Sequence, residues 1–290
     1  MSAMILRRAC SGSSLRYLRP VAAAAAELEG THGRYRDKTV IVTGGAKGIG
    51  EGCVRVFHAA GSNVVIGDMD SSAGEALAAE LNGAGSAGVV RFQSCDVRDP
   101  SQLETLVDVA ATTYGCLDCV ISNAGWHPPP TRIDDFSVAE FTDLLELNLV
   151  SSFALCKYAL PHLRASHGNV VNIASIAGVI GQAEACTYAA TKGALVAFTK
   201  SLAIDEAPHG VRVNSISPGH TWTPLWKEWS DGEADPGAAV ASGDVNQWIK
   251  RKGTAVEVGR LSLCIAADLT YVTGVDHLHT GGAELGFGVK

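Results

Sequence analysis

From Asp37 to the C-terminus, short β-branched apolar runs alternate with segments of helical periodicity. TVIVTGG (39–45) reads as a strand ending in glycine. The segment that follows, GIGEGCVRVFHAAG (48–61), places Val54, Phe57 and Ala60 on one helical face and stops at Gly61. The strand signal returns in NVVIGDMD, VVRFQSCDV, LDCVISNAG, GNVVNIAS, VRVNSISPG and YVTGVDHLHTGG, with helical stretches between them. DPSQLETLVDVAATTYG is one of these helices, and Ser101 with Glu104 offers a capping box for its start. Strands separated by helices need right-handed crossovers. These give an α/β fold, a single doubly wound parallel sheet of about seven strands with helices on both faces.

In such a sheet, ligands sit beyond the carboxyl ends of the strands, so the residues just after each strand carry the chemistry. After the first strand, Gly44, Gly48 and Gly50 let the backbone turn and approach a pyrophosphate at a helix N-terminus. After the second stands Asp68, a carboxylate able to accept both ribose hydroxyls of NAD and to repel the 2′-phosphate of NADP. Lys47 points weakly the other way, as a cation near that ribose. Asp96 closes the third strand, where it can meet an adenine amino group, and Asn123, Ala124 and Gly125 close the fourth. Ser175 closes the fifth; Tyr188 and Lys192 follow, one helical turn apart and hence on one face. Asn148 lies on the preceding helix.

Composition narrows the function classes. The chain has 290 residues, 47% of them hydrophobic, enough for one large core, and no linker or low-complexity break appears after residue 35. A net charge of −7 disfavours nucleic acid and anionic membrane as partners. The apolar runs are interrupted well short of the ~20 residues of a spanning helix, so no membrane insertion is expected. Eight cysteines are scattered. Cys116 and Cys119 form a lone CxxC, but no second pair completes a metal site, so buried structural thiols in a reducing compartment are expected. His277 and His279 share one face of a strand without a third ligand nearby, and no metal is expected. The first 33 residues differ from the rest, with Arg7, Arg8, Arg16 and Arg19 and no acid before Glu27. That composition resembles a mitochondrial presequence, which places the protein in the matrix if it is one and in the cytosol if it is not. Residues 34–290 are then expected to form a single NAD-binding domain.

TGGAKGIG, NAG, Ser175, YAATK and SPG occur in the order of the motifs of the short-chain dehydrogenase/reductase family, and the chain resembles that family over about residues 34–286. The resemblance implies a Rossmann-like NAD-binding domain and a homotetramer or dimer built partly from the YAATK helix. It implies further coenzyme contacts at Ile49, Val97, Pro218, Gly219, Thr221 and Thr223, beside Tyr188 and Lys192. It also implies a substrate pocket containing His127, Gln182 and Trp222. The implied reaction is NAD-dependent oxidation of a secondary alcohol, with a steroid 17β-hydroxyl or L-fucose as the small-molecule substrates in view. The stretch 227–253 diverges where the family carries its substrate lid, and Trp226, Trp229 and Trp248 bracket it as lid-lining or lid-packing residues.

The resemblance gives the tyrosine–lysine pair a reason. Oxidising an alcohol needs a base for the hydroxyl proton and an acceptor for the hydride, which a nicotinamide supplies. A free tyrosine titrates near ~10, and bringing it toward neutrality takes ~4 kcal/mol of differential stabilisation, which nearby cations in a dry cleft favour. In this scheme Tyr188 is the base. Ser175 holds the substrate oxygen, Lys192 serves both the tyrosine and the nicotinamide ribose, and Asn148 positions a water for proton exit. Two alternatives remain on the same fold: an NAD-binding regulator without catalysis, against which the intact Ser175, Tyr188, Lys192 and Asn148 set argues, and an NADPH-dependent carbonyl reductase, against which Asp68 argues.

Overall fold

The computed structural model describes residues 32–83 and 88–285. Seven strands form one parallel sheet: β1 (Thr39–Thr43), β2 (Asn63–Asp68), β3 (Val90–Ser94), β4 (Cys119–Ser122), β5 (Asn169–Ile173), β6 (Arg212–Pro218) and an edge strand, Asp276–His279. Their spatial order is β3-β2-β1-β4-β5-β6 and then the edge strand. The order reverses direction at β1, which pairs with β2 on one side and β4 on the other. The crevice at that reversal is where this architecture places a ligand.

Both faces of the sheet are covered, which is why its strands read as unbroken apolar runs rather than alternating ones. All five residues of β1 are buried. Val40 and Val42 join the core on one face, with Val54 and Phe57 of α1 (Gly48–Ala59), Leu77 of α2 (Ser71–Gly83) and Val258 of the helix Ala255–Ala267. Ile41 joins the core on the other face, with Leu103 and Leu106 of α3 (Pro100–Tyr114) and residues of the later helices. The helix α3 starts differently from the expected capping box. Asp99 is its N-cap and accepts from the Ser101 amide at 2.9 Å, with Pro100 at the first position. Asp-Pro supplies both a cap and a preset φ, so the carboxylate two positions earlier outcompetes the serine.

The long helical stretch before β5 is interrupted. It runs as α4 (Val138–Leu145), a π-helical turn over Glu146–Val150, and α5 (Ser151–Ser166). The short helix α6 (Ala177–Ile180) follows β5, and α7 (Cys186–Glu206) carries Tyr188 and Lys192. After β6, a two-residue strand β7 (Thr221–Trp222) pairs in parallel with β8 (Gly253–Thr254). Between them lie α8 (Pro224–Asp231), capped by Thr223, and α9 (Pro236–Val245), capped by Asp235. Each starts with Pro just after its cap, which fixes where these short helices begin. The helix Ala255–Ala267, α10, then leads to the edge strand, β9. Among the described residues no helix is long and apolar enough to cross a membrane. The arginine-rich stretch lies outside the described residues except for the last two of its 33 positions.

Candidate active site

The turn after β1 forms a backbone cradle. Gly48 has φ +58, a left-handed conformation that favours glycine, and it opens α1. A Cβ on Gly50 would lie 2.1 Å from the Gly44 carbonyl oxygen, so only glycine fits there. Lys47 is the N-cap of α1 but gives it no side-chain cap, which leaves the first-turn amides for an acceptor of another kind. Asn123 braces this turn, donating to the carbonyls of Thr43 at 2.9 Å and Gly44 at 3.0 Å. Thr43 Oγ1 in turn accepts from the amides of Asn123 and Ala124. An anionic pyrophosphate fits the cradle: close backbone, unused amides and a helix N-terminus.

Asp68 ends β2, and its carboxylate is fixed by the amides of Ala46 and Asp70, each at 3.0 Å. Lys47 turns away from it to pair with Asp70 at 2.5 Å. That pairing raises the Lys47 pKa and lowers that of Asp70. The carboxylate of Asp96 is held by Arg98, at 3.1 Å from Nε and 2.8 Å from the terminal nitrogen, so it faces a cation of its own chain. Val97 beside it is buried.

Beyond the carboxyl ends of β5 and β6 lies a cleft of about 580 Å³. Ser175, Tyr188, His127, Gln182, Ile49, Pro218, Gly219, Thr221 and Thr223 all line it, so residues far apart in sequence converge there. Ser175 Oγ accepts from the Ala177 amide at 3.2 Å, which orients it at the mouth of α6. The same side chain hydrogen-bonds Tyr188. Burial drives the Tyr188 pKa up, and the Ser175 hydrogen bond offsets this only in part. Lys192 is buried, and its Nζ donates to the Ile173 carbonyl at 2.9 Å while standing 5.9 Å from the Tyr188 ring centre. Burial lowers the Lys192 pKa to about 8. From the chain's own groups alone, then, Tyr188 is a protonated phenol; a further positive charge is required to favour phenolate.

Asn148 sits in the π-helical turn, fully buried. Its amide is committed: Oδ1 accepts from the Trp126 amide at 2.9 Å, and Nδ2 donates to the Trp126 carbonyl at 2.9 Å and to Thr191 Oγ1 at 3.2 Å. It ties the loop after β4 to the helix carrying Tyr188 and Lys192. His127, next in that loop, lies 4.1 Å from Tyr188 between ring centres and 3.4 Å from Gln182 Oε1. A second tie, from the Thr131 amide to the Glu184 carbonyl at 2.7 Å, closes the proline loop over Tyr188's helix.

Trp222 departs from its expected place. It is not among the residues lining the cleft; it stacks on Trp226 at 5.8 Å, and Trp226 forms the wall. The reason is the β7–β8 pairing, which fixes the Trp222 backbone in a parallel ladder with Thr254. Trp229 also lines the cleft and packs edge-on against Trp226 at 4.9 Å. Trp248 belongs to neither, donating instead to the Leu285 carbonyl at 3.3 Å. His220, absent from the sequence reading, lines the cleft as well, with Nδ1 3.1 Å from the Gly243 carbonyl. Burial lowers its pKa, keeping a neutral imidazole in the wall. Its signal was positional: it follows β6 by two residues, at the carboxyl end like the rest.

The CxxC cysteines part company. Cys119 is buried in β4 against Asn169, whereas Cys116 is partly exposed beside Thr39 and Asp118. Among the described residues no group of three His, Cys, Asp or Glu side chains is arranged to hold a metal ion.

Comparison with known proteins agrees with this geometry. A family model described as short chain dehydrogenase matches residues 38–234. The L-fucose dehydrogenase of Bos taurus is 48% identical over 257 residues, covering 89% of this chain and 93% of its own. A 3-alpha-(or 20-beta)-hydroxysteroid dehydrogenase of Mycobacterium tuberculosis is 35% identical over 256 residues, covering 88% and 92%. Among solved structures, the aldohexose dehydrogenase of Thermoplasma acidophilum superposes with a TM-score of 0.78 at 27% identity, covering 87% of this chain and 96% of that one.

Proposed function

The chain belongs to the short chain dehydrogenase family, and from that premise we propose that it oxidises the anomeric hydroxyl of L-fucose or a closely similar sugar, with NAD as coenzyme. The observation that carries the reading is the cleft itself. A Ser175–Tyr188 hydroxyl pair stands beside an indole wall and four polar side chains, His127, Gln182, His220 and Asn246. A sugar ring needs that combination: an apolar platform for its C–H face and placed donors and acceptors for its hydroxyls. The name of the mammalian relatives supports the same substrate.

In this mechanism Ser175 Oγ donates to the substrate oxygen and Tyr188 takes its proton. Lys192, an ammonium below about pH 8, opposes the burial that keeps the phenol protonated, and the positive ring of a bound NAD would add to it. Bound NAD supplies the hydride acceptor. Gly44, Gly48, Ile49 and Gly50 would hold its pyrophosphate, Asp68 its adenosine ribose and Lys192 its nicotinamide ribose. The Asp68 carboxylate, with Lys47 drawn off to Asp70, supports NAD over NADP. With its side chain committed to Trp126 and Thr191, Asn148 acts by holding the π-helical turn whose backbone positions the water for proton exit.

A second reading is a hydroxysteroid, including a 17β-hydroxyl. Trp226, Trp229 and Leu225 favour it as an apolar wall, as does the mycobacterial relative. Turnover of L-fucose, D-arabinose, oestradiol and a 20β-hydroxysteroid with NAD and with NADP decides between them; oxidation of the steroids alone overturns the sugar assignment. The protein assembles as a homotetramer in this reading. Phe153 on α5 and Ile204 on α7 are exposed apolar side chains of a kind that packs between subunits, and light scattering checks this. The arginine-rich extension acts as a mitochondrial presequence, checked by fusing residues 1–33 to a fluorescent protein.

A further inference from the structure

Besides Lys192, one other lysine side chain is fully buried among the described residues, and the chemistry above does not use it. Lys252 precedes β8 and has 0% exposure. Its Nζ donates to the Val240 carbonyl at 2.6 Å and to Asp244 Oδ1 at 3.0 Å, both in α9. Its backbone amide donates to the same carboxylate oxygen at 3.2 Å. The ammonium stands 4.0 Å from the ring centre of Trp226 and 5.7 Å from that of Trp222. A buried ammonium is costly unless it is paired and hydrogen-bonded, and here a carboxylate, a carbonyl and two indole faces surround it. The residues it gathers belong to three separate pieces of chain: α8, α9 and the β7–β8 ladder. Trp226 is the one among them that lines the cleft.

We propose that the Lys252–Asp244 pair is a positioning device that fixes the Trp226 indole in the cleft wall and so sets the affinity for the ring of a polyhydroxylated substrate. The proposal rests on the sugar reading above. Lys252 touches neither substrate nor coenzyme; it acts through Trp226. A rigid aromatic wall binds a ring better than a mobile one, because the cost of ordering the indole is met on folding rather than on binding.

The test is a cycle on the full-length enzyme with NAD and L-fucose. K252M/D244N removes both charges together, so that neither is left buried alone, and keeps side-chain length. It is expected to raise KM for the sugar about tenfold, the order a desolvated cation–π contact is worth, with kcat and NAD affinity unchanged. W226L alone should raise KM by a similar factor. In the W226L background the charge-pair variant should add nothing further. An unchanged KM in K252M/D244N, or the full additional factor in the W226L background, overturns the positioning role. D244N alone leaves the lysine its carbonyl partner and folds more safely. It should move KM in the same direction by less, and no movement counts against the proposal. If the wild type oxidises no sugar, the functional reading has failed, and tryptophan emission then judges the clamp by itself. K252M/D244N should shift the emission, and the larger part of the shift should be lost in a W226F background, leaving only the smaller part from Trp222, whose ring stands farther from the ammonium. Emission unchanged by the charge-pair variant, or a shift that survives at full size in W226F, overturns the clamp.

Discussion

The ammonium of Lys192 stands 5.9 Å from the centre of the Tyr188 ring and donates a 2.9 Å hydrogen bond to the Ile173 carbonyl at the end of β5. The two residues share one face of α7, yet burial acts on them in opposite senses: it drives the tyrosine pKa up and lowers the lysine to about 8. Burial disfavours the charged form of each. At neutral pH the cost of that burial falls on the lysine alone, because the phenol is uncharged in the folded and unfolded states alike.

Lys192→Met makes that opposition measurable. The folded chain holds the lysine pKa at about 8, below its usual 10.5, so the folded state binds the proton less well than the unfolded one. The penalty is full below pH 8, shrinks as pH rises, and is gone above ~10.5, where both states are neutral. The variant should be more stable than wild type at pH 7 by an amount on the order of 3 kcal/mol, less whatever the stranded Ile173 carbonyl costs. Urea midpoints at pH 7 and pH 10 check this: the gain should be present at the first and mostly lost at the second. NAD affinity and turnover should both fall.

Coenzyme choice turns on Asp68 and Lys47. The Asp68 carboxylate is aimed by two backbone amides, and Lys47 is paired with Asp70 at 2.5 Å. NAD should bind at least about tenfold more tightly than NADP, roughly 1.4 kcal/mol. Asp68→Ala should narrow that gap by weakening NAD, and Asp70→Ala should narrow it by freeing Lys47 for a 2′-phosphate. Fluorescence titrations with both coenzymes read the two effects separately. Equal affinities in the wild type would show that the cation governs the site.

Most of the fold was legible because parallel strands buried on both faces leave unbroken apolar runs such as TVIVT and NVVIGD, and the crossover helices carry a clear period. The site was legible to the extent that the carboxyl ends of strands gather the chemistry. What sequence reasoning missed is non-local. Nothing in ELNLV announces a π-helical turn, whose buried Asn148 is bonded to Trp126 and Thr191, 22 and 43 positions away. The swap of Trp222 for Trp226 in the wall follows from the pairing of β7 with β8, two strands of two residues each, 32 positions apart. Lys252 stands in the basic run Lys250-Arg251-Lys252, and its burial comes from the return of α9 over it, which no local pattern announces. Asp96, read as an adenine contact, has Arg98 two residues along to hold its carboxylate.

Gly50→Ala tests the coenzyme cradle. The added methyl would meet the Gly44 carbonyl oxygen at 2.1 Å and the Asn123 amide nitrogen at 2.7 Å, so the turn after β1 must open. Overpacking of this kind costs about 1–3 kcal/mol. The expected result is a lower thermal midpoint and at least about a tenfold loss of NAD affinity, since the displaced backbone is what holds the pyrophosphate. Calorimetry and coenzyme titration measure both. Unchanged NAD binding would place the coenzyme elsewhere in the crevice.

Tyr188→Phe separates catalysis from architecture. Tyr188 lines the cleft, hydrogen-bonds Ser175 and stacks against His127 at 4.1 Å. Phenylalanine keeps the ring and that stacking and removes one oxygen. If the oxygen is the group that takes the substrate proton, turnover should fall by the ~10²–10⁴-fold typical of a general acid–base group, or more. NAD affinity should stay within about threefold of wild type, because the cradle and Lys192 are untouched. Ser175→Ala should lower turnover in the same direction and also leave coenzyme binding in place, since Ser175 orients the same proton transfer. In the wild type, turnover should rise with pH through an inflection below the usual tyrosine value of ~10, because the catalytic complex must bring the phenol down from where burial holds it. Steady-state rates across pH 6–10, with coenzyme titrations on the same samples, check all three. A Tyr188→Phe enzyme that keeps more than a tenth of wild-type turnover would make the Tyr188–Lys192 pair a packing feature and assign the base to another residue of the cleft, His127 first.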